Sequence, residues 1–230
     1  MIQIANWDTN NFGIKVGNLI LNDLSRDCID YAIKKAKEDN YDLLYLKGVS
    51  LPNSMLSERI KLVDEKIIYT QIVESQLRYE EKHIRSIRHC EINSAILSLA
   101  YESGKYSRFF IDDNMPPTVF KTLYCKWIEN SLNGENGTDV LAYYDDENIQ
   151  GLLTYSLTGN IAIIGLIAVA PQYVGKGIGT KLMKFFLSRL PEGTKVDVAT
   201  QKRNTVACHY YEKNGFQIES ITNVYHIWLK

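Results

Sequence analysis

Apolar residues recur along this chain with two different periods, and the changes of period mark the predicted elements. A spacing of three and four residues predicts amphipathic helices at 27–38 and 176–190. Further helices are predicted at 91–101, 118–132 and 204–214. Strands are predicted, with more in the tail, at 17–21, 43–47, 67–73, 83–88, 140–144, 150–157, 161–169 and 195–200. Because helices and strands interleave, the sequence predicts a mixed α/β (α+β) fold with a partly antiparallel sheet.

Turn residues separate these segments. Residues 145–148 and the pair Gly159-Asn160 predict hairpins between neighbouring strands. The stretch 107–117, which ends in two prolines, is predicted to be irregular. A charged and polar stretch at 75–83 predicts a boundary between a smaller N-terminal domain, residues 1–80, and a second domain, residues 81–230.

Composition narrows the class of protein. The chain has 230 residues, of which 45% are hydrophobic and 23% charged, with a net charge of −1. These values exclude disorder, and the charge balance gives no overall field that would favour nucleic acid or an anionic membrane. The longest apolar run, 161–170, is ten residues long, against the ~20 needed to cross a bilayer. Residues 1–8 lack the basic and apolar regions of a secretory signal.

The cysteines indicate a reducing compartment. Cys28, Cys90, Cys125 and Cys208 lie far apart and form no Cys-x-x-Cys pair. We therefore expect free thiols, a cytoplasmic protein and no bound metal.

The most informative window is 166–183. There an apolar strand ends at Pro171, enters a glycine-rich turn and continues into the predicted helix. Gly175, Gly177 and Gly179 let backbone N–H groups point into one concavity, and the helix N-terminus adds unpaired N–H groups and the positive end of its dipole. Such a turn suits phosphate oxygens, although its spacing matches neither the Walker nor the Gly-x-Gly-x-x-Gly pattern. The alternative is a turn whose glycines serve only tight packing.

Two motifs together indicate a family. The order Gln172-x-x-Gly175-x-Gly177 after the strand resembles the pyrophosphate signature of the GNAT N-acyltransferase superfamily. Asn204-x-x-Ala207, followed by a Tyr-Glu-Lys-x-Gly-Phe run at 211–216, is similar to a later GNAT motif. The resemblance covers roughly residues 88–230 and implies the GNAT fold, a mixed, largely antiparallel sheet flanked by helices.

The resemblance implies a site for acyl-CoA. In this fold the strand ending near Val169 splays from the strand 195–200, and the pantetheine arm pairs with the exposed strand edge. The N–H groups of 174–179 would hold the diphosphate, and Asn204 would contact the pantetheine. The residues expected to bind the cosubstrate acetyl-CoA are Ile167, Ala168, Val169, Gln172, Val174, Gly175, Lys176, Gly177, Ile178, Gly179, Thr180, Asn204, Ala207 and Tyr211.

The implied reaction is the attack of an amine on the thioester carbonyl. Backbone N–H groups near Ala168 and Val169 would stabilise the oxyanion. Tyr211 is the expected general acid, because its phenol is protonated at neutral pH; the alternative is that it only packs, in a chain with 15 tyrosines. Tyr210 is expected to be structural. No general base stands out, and the histidines are expected to be surface or core residues: His83, His89, His209 and His226.

Stretches outside the CoA motifs concern the acceptor. Residues 6–13, 107–109 and 127–130 resemble one GNAT subgroup, the dTDP-fucosamine acetyltransferases of nucleotide-sugar metabolism. The resemblance implies a partial GNAT-like domain before the complete one. It also implies acetyl transfer to the 4-amino group of a dTDP-4-amino-4,6-dideoxyhexose, a nucleotide-sugar amine used in bacterial surface polysaccharides.

Four residues of these and nearby segments carry expectations of their own. Arg108 would bind the diphosphate through bidentate bonds, and Phe109 or Tyr101 would stack on the thymine or the sugar. The alternative for Arg108 is a solvated surface charge. Trp127, at helical spacing from Leu123, is expected to belong to the core.

Two other functions stay open on sequence grounds. A GNAT protein can act on a peptide N-terminus, an aminoglycoside or a polyamine. The acidic residues Glu102, Asp112 and Asp113 are compatible with a polycationic substrate. The other is a non-catalytic acyl-CoA sensor, which can lose the acid at position 211 while keeping the glycine turn. The acyl group, the sugar epimer and the oligomeric state are undetermined, and apolar edges in the tail are compatible with a homodimer.

Overall fold

The computed structural model of this chain describes residues 1–21, 23–74 and 78–229. In those ranges ten strands form one sheet, and seven α-helices pack on it. The strands are β1 (Ile2–Ile4), β2 (Val16–Leu19), β3 (Leu43–Lys47), β4 (Ile60–Ile72), β5 (Ile84–Ser86), β6 (Thr138–Asp145), β7 (Asn148–Thr158), β8 (Ile161–Val169), β9 (Lys195–Gln201) and β10 (Gln217–Trp228). The helices are α1 (Asn6–Phe12), α2 (Arg26–Glu38), α3 (Ser94–Gly104), α4 (Arg108–Ile111), α5 (Pro117–Leu132), α6 (Ile178–Leu187) and α7 (Thr205–Lys213).

The sheet has the order β1-β2-β3-β10-β4-β9-β8-β7-β6-β5. The pairs β2–β3 and β8–β9 are parallel, and the other described pairs are antiparallel. The mixed, largely antiparallel α/β fold expected from the sequence is confirmed. β10 lies between β3 and β4, so one sheet runs through both predicted domains, residues 1–80 and 81–230.

Most predicted boundaries agree with the structure, and the exceptions have local causes. β3 and β8 have the predicted limits, whereas β4 begins at Ile60 rather than at 67. α6 begins at Ile178 rather than at 176, because Gly175 and Gly177 have φ of +85° and +77°, which a right-handed helix cannot accommodate. β1 and the polar helix α1 were not predicted, and the stretch predicted to be irregular contains α4.

The two parallel strands β8 and β9 separate part-way along their length. Their pairing runs from Ile161–Lys195 to Ile164–Val198 and then stops. Beyond that point β8 continues to pair with β7 on one side, and β9 continues to pair with β4 on the other. The sheet therefore opens into a V between residues 165–169 and 199–201, as expected from the resemblance.

A buried polar joint ties the end of α4 to the last strand. Asp112 Oδ2 lies 2.6 Å from Nδ1 of His226 and accepts a 2.9 Å hydrogen bond from Nε1 of Trp228. Burial opposes the charged carboxylate, but these bonds hold the pKa of Asp112 below its usual value. Burial lowers the pKa of His226, so the ring is neutral and donates from Nδ1. Asp112 is thus engaged inside the protein and not part of an acidic pocket for a polycation.

Candidate functional site

A cavity of about 1470 Å³ follows the opening between β8 and β9. One end lies at the glycine turn before α6, and the other is formed by α1, β4 and α4. Pockets for single small ligands measure ~300–1,000 Å³, so this cavity has room for two substrates side by side. Its lining includes most of the predicted cosubstrate residues: Ile167, Ala168, Val169, Val174, Gly175, Gly177, Ile178, Gly179, Thr180, Asn204, Ala207 and Tyr211.

The open edge of β8 has a defined set of main-chain groups. The N–H of Leu166 donates to Oγ1 of Thr154 (2.8 Å), and the N–H of Ala170 donates to the carbonyl of Gln150 (2.8 Å), so the even-numbered residues turn toward β7. Because main-chain groups alternate along a strand, those of Ile167 and Val169 face the opening. The carbonyl of Ala168 is accordingly on the β7 side, 3.0 Å from where a Cβ on Gly151 would lie. Val169, rather than Ala168, has its N–H directed into the cavity.

The glycine turn forms an open concavity. A Cβ added to Gly175 or Gly177 would meet no atom within 4 Å, and both residues have the positive φ that favours glycine. In the described part of the chain no side chain caps α6, so the N–H groups of Ile178, Gly179 and Thr180 lack helical partners. The turn therefore offers donors and the positive helix end to an anion, and its geometry fits a diphosphate.

Two predicted members of this turn lie elsewhere. Gln172 and Lys176 are exposed and do not line the cavity, and the Lys176 ammonium lies 5.0 Å from the centre of the Tyr173 ring. Gln172 lies in the short 3₁₀ helix at Pro171–Tyr173, and Lys176 lies between Gly175 and Gly177. Their side chains are therefore at the surface beside the turn, and their part in cosubstrate binding stays a prediction.

Tyr211 lies against the cavity wall, at the foot of the opening. Its side chain is 3% exposed, and its ring packs on Tyr69 (5.6 Å between centroids) and Phe216 (5.8 Å). Burial raises the pKa of Tyr211, so the phenol carries its proton throughout the neutral range. A protonated phenol thus lines the cavity. The neighbouring Tyr210 is structural, because its hydroxyl donates to the carbonyl of Gly179 (2.7 Å).

Asn204 has a structural task as well as a place in the cavity. Its Oδ1 accepts from the N–H of Ala207 (3.2 Å) and caps α7. The capping bond occupies the oxygen, and the amide nitrogen is left to donate to a ligand. Asn204 and Ala207 both line the cavity beside the open end of β9.

The far end of the cavity is charged and aromatic. The Arg108 guanidinium carbon lies 4.2 Å from the centre of the Phe109 ring and 5.1 Å from that of Tyr45. Arg108 is half-buried, and its Nε is buried without a hydrogen-bond partner among the described residues. Arg108 is therefore not a solvated surface charge. Asp8, from the stretch 6–13, lines the same end together with Asp64 and Lys66, which belong to no motif of the sequence.

Two aromatic residues depart from their predicted places. Trp127 is 40% exposed and lines the cavity, stacked on Tyr124 with 5.8 Å between centroids; the expectation of a core residue is wrong. The reason is Gly165, where a Cβ would lie 3.2 Å from Trp127 Nε1, so the glycine admits the indole beside the opening. Tyr101 does not line the cavity and packs on Phe120, so its predicted stacking on the substrate gains no support from the cavity.

Among the histidines, only His209 contributes to the described lining, as an exposed residue at the rim. None of the helices in the described ranges is long and apolar enough to span a bilayer. No three His, Cys, Asp or Glu side chains of the described residues form a group that could hold a metal ion.

The motif-bearing half of the chain matches a known family. Residues 103–216 match the acetyltransferase (GNAT) family. This segment, residues 103–216, belongs to the GNAT family. The opening, the glycine turn and Tyr211 all fall within the matched segment.

Two curated relatives come from Bacillus subtilis (strain 168). The spore coat polysaccharide biosynthesis protein SpsD is 33% identical over 137 residues, 58% of this chain and 47% of SpsD. Streptothricin acetyltransferase A is 29% identical over 125 residues, 53% of this chain and 71% of that protein. The matched part of the chain thus corresponds to about half the length of SpsD.

A solved structure shares the architecture of the whole chain. The tandem GNAT protein from the clavulanic acid biosynthesis pathway superposes with a TM-score of 0.57 over 94% of this chain and 75% of that one. The two are 12% identical, so the likeness concerns the fold alone.

Proposed function

We propose that this GNAT protein transfers an acetyl group from acetyl-CoA to the 4-amino group of a dTDP-4-amino-4,6-dideoxyhexose, for bacterial surface polysaccharide. The observation that carries the proposal is the cavity, which joins a phosphate-binding turn and an open strand edge to a charged, aromatic end containing Arg108. A donor and an acceptor can therefore meet at the opening in the sheet.

The donor half of the cavity fits a CoA thioester. The turn at 174–179 offers backbone N–H groups to the diphosphate, and the free main-chain groups of Ile167 and Val169 pair with the pantetheine as an added strand does. The amide nitrogen of Asn204 is placed to donate to the same arm. The thioester then lies near Val169 and Tyr211.

Near the thioester the reaction needs a hydrogen-bond donor for the oxyanion and a proton donor for the leaving thiolate. The amine attacks the thioester carbonyl carbon, and the N–H of Val169 stabilises the oxyanion of the tetrahedral intermediate. When the C–S bond breaks, the hydroxyl of Tyr211 gives its proton to the thiolate. Because burial keeps this phenol protonated, it is ready for that step at neutral pH.

The acceptor half supports a substrate with both an amine and a phosphate. Arg108 and Lys66 supply cations for a diphosphate, and the rings of Phe109 and Trp127 provide faces for a base or a sugar. The relative SpsD is named for polysaccharide biosynthesis, which supports a sugar acceptor. The match to streptothricin acetyltransferase A favours a second candidate, acetyl transfer to an antibiotic amine.

A thiol-release assay separates these candidates. The purified chain receives acetyl-CoA and, in turn, dTDP-4-amino-4,6-dideoxygalactose, the corresponding gluco epimer, and streptothricin. Thiol release with a nucleotide sugar, and an N-acetyl product of the expected mass, would support the proposal. Release with streptothricin alone would assign the second candidate. Coenzyme A binding with no release would favour a sensor.

A further inference from the structure

Asp64 is a buried carboxylate in the wall of the acceptor end. Its side chain is 2% exposed, and the residue lines the cavity together with Lys66 on the same strand. It lies where β4 is irregular, because Val224 of β10 pairs with Asp64 but the next residue, Tyr225, pairs with Leu62. Such a bulge places an extra residue in one strand and re-aims its side chains.

The carboxylate has no counter-ion in contact. Oδ1 of Asp64 has no hydrogen-bond partner, and no ion pair joins this residue to a cation in the described part of the chain. Burying an unpaired carboxylate is costly, so proteins pair such groups or leave them for a ligand. A cationic ligand bound in the cavity can therefore reach this carboxylate.

The charges around Asp64 come from several elements. Those that act on it are Arg108 on α4, Arg203 after β9, and Lys66 and Glu65 on β4, and its own charge acts on Tyr124 of α5. Burial raises the pKa of Asp64 to about 6, although Arg108, Arg203 and Lys66 pull it down. Asp64 is thus mainly ionised at pH 7, and its pKa is close enough to 7 for the carboxylate to accept and release a proton there.

Asp64 lies on β4, the strand that pairs with β9 beside the opening in the sheet. Two residues further along β4, Lys66 pairs with Gln201 at the open end of β9. The same cavity contains Val169 and Tyr211 at the opening and Arg108 at the far end. Asp64 therefore lines the same cavity as the opening, within the electrostatic reach of Arg108.

We propose that Asp64 binds the acceptor as its ammonium ion and removes the proton that must leave before attack. This step rests on the proposed acetyl transfer. The ammonium N–H bond breaks and the proton passes to the carboxylate, which leaves a neutral amine. The amine nitrogen then bonds to the thioester carbonyl carbon, the C–S bond breaks, and the thiolate is protonated by Tyr211. The second amine proton, released as the amide forms, restores the tyrosine.

Other carboxylates of the cavity are less suited to this role. Glu102 is bound to Lys105, its ion-pair partner on the same segment. Asp8 is less buried than Asp64 and lies near the Tyr45 hydroxyl, Lys47 and Arg108. Asp64 combines burial with a free oxygen, which is what an ammonium ion requires.

The test compares wild type with Asp64→Asn, using acetyl-CoA and dTDP-4-amino-4,6-dideoxygalactose from pH 5 to 9.5. Wild-type kcat/KM should rise through about pH 6 and fall again once the free amine loses its proton. Asp64→Asn should lower kcat/KM at pH 7 by ~100-fold or more. It should also change the profile to a steady rise with pH, because only neutral amine then reacts.

Two further measurements separate this role from a structural one. Glu65→Gln, on the same strand but ion-paired with Lys202 outside the cavity, should keep the wild-type rate, with the low-pH limb displaced only slightly to lower pH because the Glu65 charge raises the pKa of Asp64. Thermal unfolding of Asp64→Asn should occur at a higher temperature than wild type at pH 8 and at the same temperature at pH 3, because the substitution removes an unpaired buried charge. A structural carboxylate would instead lower the unfolding temperature.

The outcomes distinguish the two proposals. A wild type that ignores both nucleotide sugars but acetylates streptothricin overturns the sugar acceptor, and the same pH comparison then uses streptothricin. Wild-type turnover with an unchanged profile in Asp64→Asn overturns the role of Asp64 and leaves acetyl transfer standing. If wild type acetylates no amine while binding coenzyme A, both proposals fall.

Discussion

The hydroxyl of Tyr210 donates a 2.7 Å hydrogen bond to the backbone carbonyl of Gly179. This contact joins α7 to the first turn of α6, and a Cβ on Gly179 would lie only 3.3 Å from the tyrosine ring. The next residue, Tyr211, faces the cavity. One short helix thus fixes the glycine turn with one tyrosine and lines the cavity with the next.

Tyr210→Phe should loosen the glycine turn without touching the chemistry. Losing one hydrogen bond of ~1 kcal/mol should weaken coenzyme A binding by about fivefold, while kcat at saturating acetyl-CoA stays near wild type. Titration calorimetry with coenzyme A measures the first effect, and steady-state kinetics the second. A loss confined to kcat would contradict this assignment.

Tyr211→Phe should lower turnover and leave acetyl-CoA binding unchanged. The ring and its packing on Tyr69 and Phe216 remain, but the proton donor is gone, so kcat should fall by about tenfold or more while acetyl-CoA binding is retained. Thiol release measured at saturating substrates tests this. Unchanged turnover would return Tyr211 to a packing role.

Gly177→Glu should abolish coenzyme A binding, because a side chain with negative charge would fill the concavity that holds the diphosphate. The backbone at Gly177 has φ +77°, so part of any effect is conformational strain. Gly193→Glu is the matched control, since Gly193 has φ +79° and equally open space but precedes β9 away from the cavity. Tight coenzyme A binding by the Gly177 variant would exclude the proposed diphosphate site.

Asp112→Asn should lower the free energy of unfolding by about 3 kcal/mol at pH 7. The buried His226 and Trp228 side chains would then no longer donate to a charged acceptor. The folded pKa of Asp112 is lower than its unfolded value of 3.8, and that of His226 is lower than 6.5. Both groups therefore bind more protons when unfolded, and wild-type stability should fall as the pH drops below about 6.5.

Urea unfolding from pH 8 to 4 measures that dependence. The asparagine variant should lose stability less steeply at the acid end of the range, since one of the two groups no longer titrates. Equal slopes in both proteins would mean that the joint does not contribute to acid sensitivity.

Trp127→Ala should affect the acceptor and spare the fold. The indole is 40% exposed beside the opening, so its loss should change the free energy of unfolding little, whereas acceptor KM should rise by roughly two- to tenfold, the range for one aromatic contact. The coenzyme A affinity serves as the internal reference and should not change. A large drop in thermal stability would instead return Trp127 to the core.

The sequence by itself determined the elements and motifs of the second half. β8, the glycine turn and α6 follow from a continuous apolar run, positive-φ glycines and one helical stripe, all of which are local signals. Local signals also placed Tyr211 on its helix next to Tyr210. The GNAT assignment rests on those same residues.

Only the tertiary structure decided how the acceptor end is built. Asp64 belongs to a strand that begins before its predicted start, and it reaches the cavity through pairings with β9 and β10, which are more than a hundred residues away in sequence. Trp127 faces the cavity because Gly165 of β8 makes room for it. Neither relationship leaves a periodic pattern in the sequence. Each depends on which strands become neighbours, and packing across the whole chain decides that.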